Sequence, residues 1–294
     1  MPRGNDTYLS VCSIYRDHSE YLREWIEYHR LMGADRLILY DNESSDDHLE
    51  VLAPYLEDGT VVLHSWPTPP GIWWGVPWGI KDAFNDCLQK HREDSRWIAF
   101  IDIDEFLFCT EGQRLPDVLV DYERFPGVCV SRAEFGMSGH RHRQPGLVIE
   151  NYLHRKSYPD GATGPFKSIV DPTRAKDAFN AHRFHYLEGD AVDENQQPAE
   201  RPLKVQLSRL RINHYTTKSE QEYREKIAVW KERGFFDEEV PALRRMGLVE
   251  MDEPIVTPTF DYLDGLTPEF DDTITRWVPD LREALKRTSG HPLS

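Results

Sequence analysis

Apolar residues in the first 65 positions of the chain recur with two different periods. Three short apolar runs, at residues 8–15, 36–40 and 60–64, are typical of buried β-strands. Apolar residues between them recur every three or four positions, which predicts two amphipathic helices ending at Gly33 and Gly59. This order of strand, helix, strand, helix and strand predicts parallel βαβ units and an α/β fold.

The segment from Ser65 to Gly79 interrupts this rhythm with prolines and tryptophans. Two interpretations stay open for it, a substrate platform and a lid over the core. A predicted helix over residues 80–91 follows, and residues 96–101 then form a strongly apolar predicted strand. That strand leads directly into three acids, Asp102, Asp104 and Glu105.

The pattern is looser after residue 110. Residues 127–131 and 207–212 are predicted to be further strands, and Ser219 to Glu222 form a capping-box signature that opens a helix. Prolines recur between short apolar pieces in the remaining residues, which predicts an irregular extension wrapped around the main domain.

The charge of the chain restricts its partners. With 35 Lys and Arg against 51 Asp and Glu, the formal net charge is −16. A broad basic surface for nucleic acid is therefore not expected, although a local basic pocket is compatible with this balance. The 39% hydrophobic and 12% aromatic content is that of an ordinary globular chain.

The cysteines and the hydropathy bear on location. Four widely spaced cysteines without a CxxC pair are predicted to be reduced and buried, as in a cytosolic protein. No run approaches the roughly 20 apolar residues of a membrane span. We therefore expect a cytoplasmic protein, and any action at the membrane would require peripheral docking at its inner face.

Asp102 and Asp104 are the candidate chemistry that these patterns single out. Alternate residues of a strand point to the same side, so the two carboxylates would aim together if the extended conformation continued past the strand. Buried together and unpaired they would repel, and a hard divalent cation resolves that conflict. The alternative is that these acids cap a helix or face water. Their position beyond the carboxyl end of a strand is where ligands bind in open α/β sheets.

Several ordered segments resemble glycosyltransferase family 92 and its bacterial family-2-like relatives. The matching segments, from about residue 8 to residue 231, are Tyr21–His29, Leu39–Asn42, Trp97–Leu107, Phe135–His140, Lys167–Val170 and Ile212–Tyr215. The resemblance implies a GT-A fold, a Rossmann-like and mostly parallel sheet with flanking helices and an irregular acceptor region. It implies a glycosyltransferase domain at residues 1–235, with a nucleotide-binding half at about 1–110 and an acceptor half at about 111–235. Residues 236–294 would form the packed extension.

The implied activity is metal-dependent transfer of a sugar from a nucleotide diphosphate, a UDP-sugar, to a hydroxyl of a glycan or lipid-linked acceptor, by inversion. On this resemblance Asp102 and Asp104 hold Mn²⁺ or Mg²⁺, and His214 completes the metal shell. The implied donor-binding residues are Arg16, Asp41, Asp102 and Lys167. Three of these residues also have an ordinary structural alternative: an Asx turn for Asp41, a packed side chain for His214 and a surface lysine for Lys167.

Two features depart from the family pattern. The run Arg16-Asp17-His18 stands where relatives often have Lys-Asn-Glu, which leaves the contact with the nucleobase open, and Met137 stands where serine is common.

The catalytic base that deprotonates the acceptor is not readable from spacing. Glu150 is our first candidate for this base and Glu134 is the second. Trp73, Trp74 and Trp78 are candidates for stacking on a sugar face.

Two other classes of protein remain open on the sequence. Paired aspartates also serve a metal-dependent nucleotidyltransferase or phosphohydrolase, although the chain has no P-loop. The second is a carbohydrate-binding protein without turnover.

Overall fold

The computed structural model describes residues 7–67, 77–199, 202–232 and 260–289. Of the tryptophans expected to stack on a sugar, Trp73 and Trp74 lie outside these ranges, as does the side chain of Trp78. Most of the segment from Ser65 to Gly79 lies outside them as well, so both interpretations of that segment stay open. Within the described ranges, no helix has the length and hydropathy needed to cross a membrane.

The first half of the chain forms the predicted parallel βαβ units. Its strands are β1 (Leu9–Tyr15), β2 (Arg36–Asp41), β3 (Val61–Ser65) and β4 (Trp97–Phe100). Its helices are α1 (Ser19–Leu31), α2 (His48–Glu57) and α3 (Pro77–Lys90). Gly33 follows the end of α1 with φ of +101°, and a Cβ there would lie 2.6 Å from the Pro116 ring. Only glycine allows both the turn and this close approach.

The second half adds antiparallel neighbours to the same sheet. Its elements are β5 (Glu105–Cys109), α4 (Leu115–Leu119), β6 (Gly127–Glu134), α5 (Val148–Asn151), β7 (His154–Arg155), β8 (Phe166–Val170), β9 (Ala175–Ala178), β10 (Phe184–Tyr186), β11 (Leu210–His214) and α6 (Glu220–Glu232). The last described elements are α7 (Phe260–Gly265), β12 (Glu269–Phe270) and α8 (Val278–Ser289).

One eight-stranded sheet runs through both halves, in the order β3-β2-β1-β4-β8-β6-β11-β5. The first four strands are parallel, β8 is antiparallel to β4 and β6, β11 is parallel to β6, and β5 is antiparallel to β11. Six of these eight strands therefore point the same way. The expected α/β architecture, a mostly parallel sheet flanked by helices, is confirmed.

Both faces of the sheet are covered by apolar side chains. One face packs against α1, where Leu22, Trp25 and Ile26 are fully buried, and the other packs against α3 through Phe84 and Cys87. All four cysteines are buried, as predicted. The capping box is also confirmed, since Ser219 Oγ accepts from the Glu222 amide and the Ser219 amide donates to the Glu222 carboxylate.

The segment from 260 to 289 is fastened to the sheet by a buried ion pair. Asp271 accepts two hydrogen bonds from the Arg211 guanidinium, at 2.9 and 3.0 Å, and one from Arg155 at 2.7 Å. Leu281 and Leu285 of α8 are buried in the same core as α1. Burial alone would raise the pKa of Asp271, but Arg211 and Arg155 lower it well below its ordinary value.

We expect Asp271→Asn to lower the free energy of unfolding by about 3 kcal/mol at neutral pH, because it leaves two arginines without their shared carboxylate. A carboxyl group with a lowered folded-state pKa stabilises the protein above its unfolded pKa of about 3.9, and this contribution is lost as the pH falls further. Urea unfolding at pH 7 and pH 3 should therefore show the difference shrinking with acidity. Asp272→Asn, at the exposed neighbouring position, is the matched control; equal effects of the two variants would contradict the assignment.

Candidate active site

A tight turn between β4 and β5 carries the two aspartates. The amide of Glu105 donates to the carbonyl oxygen of Asp102 at 3.1 Å, and the Glu105 carboxylate accepts from the Asp102 amide at 2.8 Å. The extended conformation therefore does not continue past Phe100, so the condition under which the two carboxylates would aim together as alternate residues of one strand is not met. The reason is the Glu105 side chain, which closes the turn and reverses the chain into β5.

Asp102 is paired with a buried lysine from the second half of the chain. Lys167, on β8, is 1% exposed, and its Nζ lies 2.7 Å from Asp102 Oδ1 and 3.8 Å from Glu105 Oε2. Nζ also donates to the Ala181 carbonyl at 3.4 Å. Burial alone would raise the pKa of Asp102, but the lysine ammonium lowers it. Lys167 is thus a buried counter-charge, and its direct contact with a donor stays a prediction.

Asp104 faces a histidine and a second lysine. His214 ends β11, and its Nε2 lies 3.4 Å from Asp104 Oδ1, while Nζ of Lys226 on α6 lies 3.2 Å from Asp104 Oδ2. The other ring nitrogen of His214, Nδ1, is 2.6 Å from Glu134 Oε2 at the end of β6. Burial alone would lower the pKa of His214, but Asp104 and Glu134 raise it to about 9.

Arg132 joins these pairs into one network. Its guanidinium lies 3.0 Å from the fully buried Glu105 carboxylate and 2.6 Å from Glu134. We refer to Asp102, Asp104, Glu105, Glu134, Lys167, Arg132, His214 and Lys226 as the carboxylate cluster. Sequence reasoning missed Arg132 and Lys226. Arg132 had a usable signal, because a residue two positions before Glu134 on a strand faces the same side.

The carboxylate cluster has the donor types that a hard divalent cation takes. Glu134 holds Nδ1 of His214, which directs Nε2 towards Asp104, and such a carboxylate behind a histidine is common in metal sites. Two aspartates and an imidazole fit Mn²⁺ or Mg²⁺ chemically. Across the described residues, however, no group of three or more metal-ligating side chains is already arranged for an ion. The metal set of Asp102, Asp104 and His214 stays a prediction.

Arg16 and Asp41 lie at the carboxyl ends of the neighbouring strands β1 and β2. Asp41 Oδ1 accepts from the Ser44 amide at 3.0 Å, which is the Asx turn given above as its alternative, and Oδ2 is 3.7 Å from His48 Nε2. Arg16 lies 3.6 Å from both Asp17 and Glu43. Both residues are therefore on the same sheet edge as Asp102, where β4 ends.

Glu150 is not joined to the carboxylate cluster. One carboxylate oxygen accepts from the Leu147 amide at 2.8 Å at the start of α5, and the other is 2.7 Å from Arg282 on α8. Glu134, the other candidate base, is a member of the cluster. The role of Glu150 as base stays a prediction, without support from its contacts.

A cavity of about 230 Å³ opens beside the carboxylate cluster. It lies between the residues that follow β1 and the start of α6, and Lys226 connects it to Asp104. Its lining includes Arg16, His18, Tyr21, Arg143, Lys218 and Lys226. Burial and the nearby Lys218 lower the pKa of His18 to about 4, so this imidazole is neutral at physiological pH.

Comparison with known proteins supplies the family. The sequence model of glycosyltransferase family 92 matches residues 6–271. A glycosyltransferase family 92 protein of Oryza sativa subsp. japonica is 34% identical over 192 residues, which cover 62% of this chain and 30% of that protein. Galactan beta-1,4-galactosyltransferase GALS2 of Arabidopsis thaliana is 30% identical over 117 residues, covering 38% of this chain and 22% of that protein.

This chain spans about a third of the length of the family 92 relatives it matches, 30% of the rice protein and 37% of one from Ricinus communis. Among solved structures, a glucosyl-3-phosphoglycerate synthase from Mycobacterium tuberculosis, in complex with Mn²⁺, UDP and glucosyl-3-phosphoglycerate, has a TM-score of 0.29. It is 18% identical in sequence, and the match covers 44% of each chain.

We expect Glu134→Gln to lower the pKa of His214 from about 9 towards or below its ordinary value of about 6.5, because one of two adjacent negative charges is removed. Histidine NMR titration of the metal-free protein measures this directly. Glu188→Gln, at an exposed loop position, is the control. An unchanged His214 titration in Glu134→Gln would contradict the network described above.

Proposed function

Because this chain belongs to glycosyltransferase family 92, we propose that it transfers a sugar from a nucleotide diphosphate donor, a UDP-sugar, to a hydroxyl group of a glycan or lipid-linked acceptor. The observation that carries the proposal is the carboxylate cluster at the carboxyl end of the parallel strands. Ligands of open α/β sheets bind at that edge. The proposal includes inversion at the sugar and a cytoplasmic location with peripheral docking.

The proposed metal is Mn²⁺ or Mg²⁺ held by Asp102, Asp104 and His214; when bound, it would neutralise charge on the donor diphosphate. The protein itself prepares this site. The Lys167 ammonium lowers the pKa of the partly buried Asp102 and so favours its carboxylate form, and Glu134 fixes the ring orientation of His214. Because Lys167, Glu134 and His214 are held by strands β8, β6 and β11, they need little movement when a ligand arrives. His214, whose pKa is raised to about 9, would give up its proton when the metal binds.

The proposed reaction is a single displacement. The acceptor oxygen bonds to the anomeric carbon while the bond from that carbon to the diphosphate oxygen breaks, and the leaving diphosphate takes the electron pair. The acceptor proton passes to a carboxylate base. Of the two candidates from the sequence, Glu134 lies among the cluster residues, whereas Glu150 is held by Leu147 and Arg282.

The test is a screen of nucleotide-sugar donors by thermal shift, with and without Mn²⁺, followed by an assay for nucleotide release. UDP-galactose belongs in the screen because of the galactosyltransferase relatives. A donor at a hundred times its Kd stabilises the protein by about 2.7 kcal/mol, which for a chain of this length is roughly 4 °C in Tm. We expect Asp104→Asn to abolish the metal-dependent shift and lower turnover on the order of 100-fold.

Asp280→Asn removes an exposed carboxylate from α8 and is the matched control. UDP release that requires an acceptor sugar supports transfer. Pyrophosphate release from a nucleoside triphosphate would instead assign the site to a nucleotidyltransferase. Donor binding unaffected by metal and by Asp104→Asn would overturn the site assignment.

A further inference from the structure

One lysine beside the carboxylate cluster makes no hydrogen bond and no ion pair within 4 Å to a carboxylate among the described residues, although Asp104, Glu222 and Glu24 act on it at longer range. Lys218 lies between β11 and α6, is 8% exposed and lines the cavity described above. Its Nζ lies over the Tyr21 ring, 4.4 Å from the ring centroid. Buried lysines are normally paired, because an ammonium group loses its hydration on burial. Because Lys218 lines the cavity, an anion bound there can contact its ammonium group.

The other cations of this cavity are already engaged. Lys226 is held by Asp104 and Thr216, Arg143 by Glu20 and Glu225, and Arg16 lies near Asp17 and Glu43. Lys167, the lysine that the family resemblance implied for the donor, is buried against Asp102 and Glu105. Lys218 therefore differs from every one of these cations in its surroundings.

One carboxylate of the cavity lining, Glu222, accepts its hydrogen bonds from neutral donors. Glu222 accepts hydrogen bonds from the hydroxyl groups of Tyr21, Tyr152 and Ser219. It is therefore fixed at the start of α6, and it contacts Lys218 neither by a hydrogen bond nor by an ion pair within the described part of the chain. The cavity lining carries four cationic side chains against three carboxylates, which favours an anionic occupant.

The backbone at Lys218 is also unusual. Its φ is +48°, in the left-handed region that glycine or asparagine adopts more easily. Such a conformation in a lysine costs on the order of 1 kcal/mol and is found most often at functional sites. Ser219, the next residue, caps α6, so the cap and the strained residue together fix where the Lys218 side chain begins.

We propose that Lys218 binds the diphosphate of the donor within this cavity. The inference rests on the proposed function and assigns the diphosphate contact to Lys218, while the donor contact of Lys167 stays a prediction. A cavity of about 230 Å³ is small for a whole nucleotide sugar, since typical ligand pockets begin at about 300 Å³, but it suits a diphosphate group. An ammonium group on a flexible stem is a common phosphate ligand. Lys226 places this anion beside Asp104, where the proposed metal would meet the same phosphates.

Isothermal titration with inorganic pyrophosphate and with UDP, each with and without Mn²⁺, tests the inference. We expect Lys218→Met to weaken binding of both anions roughly tenfold, because one charge-assisted hydrogen bond is lost, and Lys218→Arg to keep most of the affinity. Binding of uridine, which has no phosphate, should not change. Lys286→Met, at an exposed position on α8, removes the same charge elsewhere and is the control.

Lys218→Gly separates binding from folding. Glycine relieves the positive φ, so this variant should unfold at the same temperature as the wild type or higher while showing the same loss of pyrophosphate affinity. A purely structural lysine would give the opposite result, lower stability with unchanged affinity. Pyrophosphate affinity that is unmeasurable in the wild-type chain, or unchanged in Lys218→Met, overturns the inference.

The two proposals fail in different ways. Lys218-dependent pyrophosphate binding without any nucleotide-sugar turnover leaves the anion site standing and removes the proposed function. Acceptor-dependent turnover with Lys218→Met as active and as tightly binding as the wild type removes the anion site and leaves the function.

Discussion

Four carboxylates, two of them buried and two partly buried, crowd one edge of the sheet, and this crowding is the constraint on which the rest of this structure depends. Asp102, Asp104 and Glu105 come from a single turn, and Glu134 joins them from β6. Their mutual repulsion and lost hydration would be too costly without counter-charges held close by. Those counter-charges, Lys167, Arg132, His214 and Lys226, all come from the second half of the chain. The site can therefore exist only when β8, β6, β11 and α6 have assembled on the parallel strands.

The mixed sheet follows from this arrangement. The turn that presents the aspartates reverses the chain into β5, which pairs with β11 and aligns Glu105 with His214. The parallel pairing of β11 with β6 aligns His214 with Glu134 in turn. The register of β11 against β5 and β6 thus sets the hydrogen bonds of this part of the sheet and also places His214 between the carboxylates of Asp104 and Glu134.

Local patterns predicted the parallel half of the fold and the two aspartates, because periodicity, helix ends and the acids after β4 are encoded within short stretches. The long-range pairs were not predictable in this way. Lys167 lies 65 positions from Asp102 along the sequence, and nothing in its own neighbourhood distinguishes it from a surface lysine. The turn at Asp102 is not evident from the sequence, because the apolar pattern of β4 does not show where the chain turns. In the structure the Glu105 side chain closes that turn.

Asp41 and Glu150 show why a residue type alone does not decide a role. Each has an ordinary structural task that the structure fulfils, an Asx turn to Ser44 for Asp41 and the cap of α5 for Glu150, but only the Asx turn was signalled by the local sequence. Asp41 still lies at the carboxyl end of β2, on the side of the sheet where ligands bind, so the hydrogen bond of its Asx turn is compatible with contact with a donor. Glu150 has no comparable position, since its second oxygen is paired with Arg282.

A chain with a net charge of −16 repels a diphosphate over most of its surface, so any site for that anion must concentrate positive charge locally. Counting cations near the aspartates does not identify such a site, because most of them neutralise the protein's own carboxylates. What matters is the cation that remains after those pairs are assigned. Among the described residues around the carboxylate cluster that residue is Lys218, which lies over the Tyr21 ring in a strained backbone conformation, makes no ion pair within 4 Å and lines the cavity. The same pairs that make the buried aspartates tolerable therefore also determine which charge is available to a ligand.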